Sequence, residues 1–205
     1  MSETKRLSIF PLPGAILFPG LQLPLHIFEQ RYRDLVGSAL AKDRLIGMVQ
    51  PQRSGEGSPL YEIGCLGRIG DVEAMEDGRY NIVLEGETRF RVLRELEVTT
   101  AFRQVEAELI DDPQNEALAS VERAGFEFEA KRFAAMQGYS VDWDSVERLD
   151  DETLINGVAQ IAPFDSAAKQ ALLEANSLSE RCELMIQLMQ FFALRDDGDE
   201  IVTLQ

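Results

Sequence analysis

Between Leu7 and Ile27 the apolar positions come in short runs, Leu7-Ser8-Ile9-Phe10, Ala15-Ile16-Leu17-Phe18 and Leu21-Gln22-Leu23, interrupted by Pro11, Pro13, Pro19 and Pro24. Proline fixes φ and removes a backbone donor, so this stretch predicts short edge strands and turns rather than helix. The spacing then changes. Phe28, Tyr32, Leu35, Val36, Ala39 and Leu40 recur every three or four residues, predicting a helix from about Glu29 to Ala41, and the apolar run Leu45 to Val49 predicts a buried strand. The polar, glycine-containing stretch from Pro51 to Pro59 predicts an exposed and mobile loop.

Beyond that loop, Tyr61 to Val72, Tyr80 to Leu84, Thr88 to Leu96 and Phe102 to Ile110 alternate apolar with polar side chains, and Asp77-Gly78 supplies a hairpin turn. Asp111-Asp112-Pro113-Gln114-Asn115 ends this regime, and helix formers dominate from there on. Four helices are predicted: about Glu116 to Gln137, Asp151 to Ile161, Ser166 to Ala175, and Leu178 to Leu194. The last has capping-box spacing at Ser177 and Glu180, followed by the stripe Leu178, Cys182, Met185, Met189 and Phe192. Strands followed by helices make an α+β chain, with a β domain over residues 1–112 and a helical bundle over 113–205. The bundle ends in an acidic tail from Arg195 to Gln205, expected to be frayed.

Charge sharpens this division. The chain of 205 residues carries 20 Lys and Arg against 36 Asp and Glu, a formal charge of -16. Residues 1–110 hold 13 basic and 16 acidic side chains, residues 111–205 only 7 against 20. Such a balance repels phosphates, so nucleic acid is a poor partner. The prolines also break the apolar opening before it can form a secretory or membrane-spanning helix. Two cysteines, Cys65 and Cys182, are too few for a secreted disulfide scaffold. A cytoplasmic protein with reduced, buried thiols is expected.

Candidate chemistry is sparse. The lysines Lys5, Lys42, Lys131 and Lys169 all lack a preceding glycine, which excludes a P-loop. His26 is the single histidine, too few for a triad or a multi-histidine metal site, and a structural role is expected for it. Ser166-Ala167-Ala168-Lys169 has the Ser-x-x-Lys spacing of serine acyl-enzymes. The favoured alternative makes Asp165 or Ser166 a helix cap and puts Lys169 on a solvated face, since the companion Ser-Asp-Asn and Lys-Thr-Gly motifs are missing. Gly64, Gly67 and Gly70 lack the order of a dinucleotide fingerprint and fit bulges or close strand packing. The acidic clusters Asp142-Trp143-Asp144 and Asp150-Asp151-Glu152 lack calcium-loop spacing and fit solvated surfaces or helix starts. No cofactor and no metal are expected.

Phe10-Pro11-Leu12-Pro13-Gly14-Ala15-Ile16-Leu17-Phe18-Pro19-Gly20 and Leu23-Pro24-Leu25-His26-Ile27-Phe28-Glu29-Gln30-Arg31-Tyr32 closely resemble the opening of the amino-terminal domain of Lon proteases. Asp77 to Gly86 with Arg89-Phe90 resembles that family's strand pair. Lys169 to Glu174 with Arg181-Cys182-Glu183-Leu184 resembles its helical segment. The likeness spans about residues 7–195. It implies a PUA-like, mainly antiparallel β pseudo-barrel carrying one helix, then a helical bundle, together engaging substrate polypeptides in protein quality control. Lon proteases continue into an ATPase and a Ser-Lys protease, whereas this sequence ends at Gln205. The expectation is therefore a stand-alone, non-catalytic polypeptide-binding or adaptor module.

Its partners would be polypeptide clients or a separate protease or chaperone, and it would be a monomer or weak homodimer. Phe18, Phe28, Tyr32 and Tyr61, near the proline-rich opening and its facing loop, are the nominated peptide contacts, against the general tendency of such side chains to be buried. RNA binding is the alternative, because PUA-like folds read RNA elsewhere and Arg89, Arg91, Arg94 and Arg103 would have to line one face. Their alternation with Glu85, Glu87, Glu95 and Glu97 opposes it.

Overall fold

The computed structural model describes residues 4–55, 57–113 and 116–196, with side chains to residue 193. The chain divides into two compact units, Met1–Asp112 and Pro113–Gln205. The tail beyond Asp196, where an acidic end is expected, lies outside the described residues.

The first unit contains β1 (Thr4–Pro11), β2 (Gln22–Ile27), α1 (Gln30–Leu40), β3 (Leu45–Val49), β4 (Ile63–Ala74), β5 (Tyr80–Glu95) and β6 (Gln104–Leu109). The sheet order is β2-β5-β4-β3-β1-β6, and a further β5–β6 pairing joins its far end back to its middle. Five strands thus close into a ring, and β2 hangs outside it on β5. All pairings are antiparallel except β1 with β3.

Closure depends on the length of β5. Its first part, Tyr80–Glu85, pairs with β2, while Phe90–Glu95 pairs with β6. Two separate strands are predicted here because Glu85-Gly86-Glu87 interrupts the apolar alternation. The structure runs one strand through the interruption and changes its partner there. β1 is likewise not an edge strand, since β3 and β6 flank it on both sides.

Leu7, Ile9, Leu45, Val49, Leu66, Phe90, Val105 and Ala107 form one buried cluster drawn from all five ring strands, and this is the ring's interior. A Cβ on Gly64 would stand 2.5 Å from the Phe90 ring and collide with the Met48 carbonyl, so glycine there admits the aromatic. A second cluster, including Phe10, Leu17, Ile27, Leu35, Val36 and Ile82, seals α1 against the outside of the ring. Ala15 to Phe18 does not form a strand, yet Ile16, Leu17 and Phe18 are buried.

The second unit contains α2 (Ser120–Met136), α3 (Trp143–Val146), α4 (Asp151–Ile161), α5 (Ser166–Glu174) and α6 (Leu178–Asp196). α2 begins four residues later than the pattern predicts. The Glu116 carboxylate instead accepts the Leu178 N–H at 2.8 Å, placing an anion at the start of α6. Short α3 is too brief for periodicity to reveal. Leu178, Cys182, Met185 and Met189 are buried against the unit's other helices, and half-buried Phe192 meets Phe164 at 5.0 Å, so the apolar stripe of α6 packs internally. Asp142, Asp150 and Asp165 cap α3, α4 and α5. Among the described residues, no helix is long and apolar enough to cross a membrane.

Candidate polypeptide-binding surfaces

The four nominated aromatics do not converge. Phe18 is 0% exposed and belongs to the core, which removes it from any surface in this conformation. Its backbone carbonyl faces Gly86 so closely that no Cβ fits at position 86. Tyr32 is also buried, tilted against Phe10 at 4.2 Å, with its hydroxyl donating to the Pro11 carbonyl at 3.4 Å. It lines a cleft of about 370 Å³ with Pro11, Pro13, Pro51 and Phe102, which joins the proline-rich opening to the 51–59 loop. Tyr61 is half-buried just after the Pro51–Leu60 bridge. Phe28 alone is well exposed, at 61%.

Phe28 continues the outward face of β2. Along that strand Leu23, Leu25 and Ile27 turn inward while Gln22, Pro24 and His26 face out, the period-two alternation of a half-buried strand. The rings of His26 and Phe28 stack at 6.1 Å. Among the described strands only β5 pairs with β2, leaving its other edge open, and Pro24 in mid-strand removes one donor from it.

Beside this edge, a shallow depression of about 580 Å³ lies over β2, β4 and β5, with Pro24, Leu25, Val72, Ile82 and Val83 as its apolar part. A polar chain crosses it. Asn81 donates through Nδ2 to Glu73 at 2.7 Å, so its Oδ1 faces His26 Nδ1 at 2.7 Å as an acceptor. That assigns the proton to Nδ1 and leaves Nε2 to accept from Arg79 at 3.3 Å. His26 is thus exposed and organises a surface. No pattern in a single sequence distinguishes this role from a buried one.

The other candidates resolve into structural roles. Asp165 accepts the Ala168 N–H at 2.8 Å and takes the cap. Lys169 is not on a fully solvated face: its Nζ donates to the Gln160 carbonyl at 2.8 Å, and burial pushes its pKa down. Gly67 and Gly70 stand at the irregularities of the β4–β5 ladder. Arg89, Arg91, Arg94 and Arg103 pair with Asp112, Glu62, Glu106 and Glu95. Both thiols are buried and free, and burial pushes the Cys182 pKa up to about 11.

The helical unit holds a larger concavity that the sequence pattern did not single out, about 800 Å³ between α2, α3 and α4, with Met189 of α6 contributing to its wall. Its lining includes Phe133, Tyr139, Trp143, Leu154 and Ile161. Among the described residues, no group of three or more His, Cys, Asp or Glu is placed to hold a metal ion.

A ring of five strands with one pendant edge strand, followed by a unit whose described elements are all helices, defines an α+β protein with open surfaces on both units. The chain belongs to the family of the ATP-dependent protease La (LON) substrate-binding domain, which matches residues 6–190. It is 28% identical over 193 residues to Lon protease 2 of Myxococcus xanthus, covering 89% of this chain and 23% of that protein. It is 30% identical over 181 residues to Lon protease 2 of Syntrophobacter fumaroxidans, covering 83% and 22%. The chain therefore spans less than a quarter of the length of these relatives.

Two solved structures share the fold. A Lon N-terminal domain protein from Xanthomonas campestris superposes with a TM-score of 0.67, and the N-terminal domain of a Mycobacterium avium complex Lon protease with 0.68. Each is 22% identical, with 91% of this chain and 98% of the other covered.

Proposed function

We propose that this chain is a non-catalytic cytoplasmic module that binds polypeptides, through the open edge of β2 in the first instance. The observation that carries this reading is the outer edge of β2, which no described strand pairs with, running directly into exposed Phe28. An extended peptide adding to such an edge gains main-chain hydrogen bonds and covers Phe28 with a side chain of its own. Membership in a substrate-binding family supports it, as does the lack of a P-loop lysine in the sequence. Clients of this edge would be unfolded or extended segments, since folded proteins keep their own strands paired.

The test is binding of a permanently unfolded, alkylated polypeptide compared with its native form. The unfolded form should bind, and Phe28→Ala should weaken it about tenfold, the equivalent of losing roughly half to all of a phenylalanine's burial. Equal binding of native and unfolded forms, or ATP-independent cleavage of the bound chain, would remove this reading.

A further inference from the structure

We propose that the groove of the helical unit is a second docking site, whose ligand is a polypeptide segment combining large apolar side chains with lysine or arginine. The proposal rests on the chain's being a polypeptide binder but uses a surface separate from the β2 edge.

The apolar half of the argument is exposure. Ile161, at the end of α4, is 80% exposed although it lines the groove, and Tyr139 is 51% exposed. Met136 and Leu149 also show apolar surface to solvent. Scattered exposed apolar residues are ordinary, but here Tyr139, Leu149 and Ile161 share the lining of one concavity of ligand-holding size. The groove lies within a single unit: buried core residues including Phe133, Leu154 and Met189 line it, and Tyr139, Leu149 and Ile161 stay exposed around it.

The choice of ligand comes from charge. Residues 142–152, from which Trp143, Val146 and Leu149 line the groove, carry six carboxylates and one arginine beside it. Of these carboxylates, Asp151 is matched by Arg123 and Glu147 by Lys131, while Arg132 faces Glu129; the charge count then leaves Asp142, Asp144, Asp150 and Glu152 against Arg148, an acidic excess. An apolar segment bearing carboxylates would be repelled by this rim, and one bearing ammonium or guanidinium groups attracted. The groove also contains an example of the contact. The Lys131 ammonium stands 5.5 Å from the centre of the Trp143 ring, the cation–aromatic geometry a ligand's lysine or arginine would repeat.

Trp143 is the single tryptophan of the chain and lines the groove, so its fluorescence reports this site alone. The probes are three synthetic peptides of equal length: leucine with lysine, leucine with glutamate, and serine with lysine. The leucine–lysine peptide should shift Trp143 emission saturably, and more weakly as salt is raised. The other two should bind at least about tenfold less well. Ile161→Asp, at a surface position whose folding is checked by circular dichroism, should abolish the shift, while Phe28→Ala should leave it unchanged.

Equal response to the leucine–glutamate peptide, or full binding by Ile161→Asp, would overturn the proposal. So would a concentration-dependent dimer of the free chain that Ile161→Asp dissolves, because a second copy would then be the occupant. A labelled leucine–lysine peptide that binds without moving Trp143, and is lost in Phe28→Ala, would overturn the groove site and leave the edge-strand reading standing. Failure of every peptide and of the unfolded polypeptide would remove both.

Discussion

Arg181 donates through Nη1 to Asn156 Oδ1 at 2.8 Å in the interior of the helical unit, with both side chains buried. The same guanidinium reaches the carbonyls of Leu172 and Ala175, so one side chain on α6 ties together α4 and the α5 end. A buried cation is tolerated when its donors are satisfied, and removing an acceptor leaves a desolvated N–H behind.

Asn156→Ala should therefore lower stability by about 2 kcal/mol, at the middle of the range for an unsatisfied buried donor. Asn156→Asp should keep most of it, because a carboxylate accepts the same bond. Urea unfolding of both variants checks this, and equal losses would show that packing at position 156 matters more than the hydrogen bond.

In the β unit, Asp112 receives Arg89 Nε at 2.8 Å and Nη2 at 2.6 Å. Arg89 is almost fully buried while Asp112 keeps some exposure. Asp112→Ala should cost about 3 kcal/mol, near the lower end for breaking a buried pair, and calorimetry should show it as a drop in the melting temperature of the β unit.

Gly64→Ala forces a methyl group into the Met48 carbonyl and the Phe90 ring. Overpacking on this scale costs about 3 kcal/mol or more. The paired change Gly64→Ala with Phe90→Leu should recover only the ring clash and not the carbonyl clash, so the double variant should remain well below the parent in thermal stability.

Stability should be flat near neutrality and fall on both sides. Hydrogen bonds from Arg103 to Glu95 and from Thr153 to Asp150 hold these carboxyls below their usual range. Their contribution is present above the unfolded pKa, about 4, and is lost as pH falls further and the unfolded chain takes up more protons. The Cys182 thiol is displaced the other way. Its contribution is complete below the unfolded pKa of about 8.5 and is lost as pH rises toward about 11, where the unfolded chain has already released its proton. Melting temperatures across this range test both limbs, and Cys182→Ala should make the alkaline one shallower without removing it, because burial also raises the Cys65 thiol.

How much of this could be read beforehand depends on what each residue signals locally. Leu45–Val49 and Asp151–Ile161 were legible because a buried apolar run and a capped 3.6-residue period are local properties. The unity of β5 was not, since Gly86 looks like a break until Phe18 is seen pressed against it. Of the nominated aromatics, Phe28 reached the surface and Phe18 did not, although both follow the same proline-punctuated pattern. Nor did helical spacing distinguish Ile161, which lines an open groove, from Ile155 six residues earlier, which is fully buried.

The ring carries a consequence for how the chain acquires its shape. Thr4 pairs with Glu108 and Ser8 with Gln104, so the first strand made is clasped by the last strand of its unit. Such distant partners mean a late, entropically expensive closure. During synthesis β1 keeps an unsatisfied flank until β6 has emerged, so the nascent β unit is itself, for that interval, the kind of half-paired polypeptide its finished form would recognise.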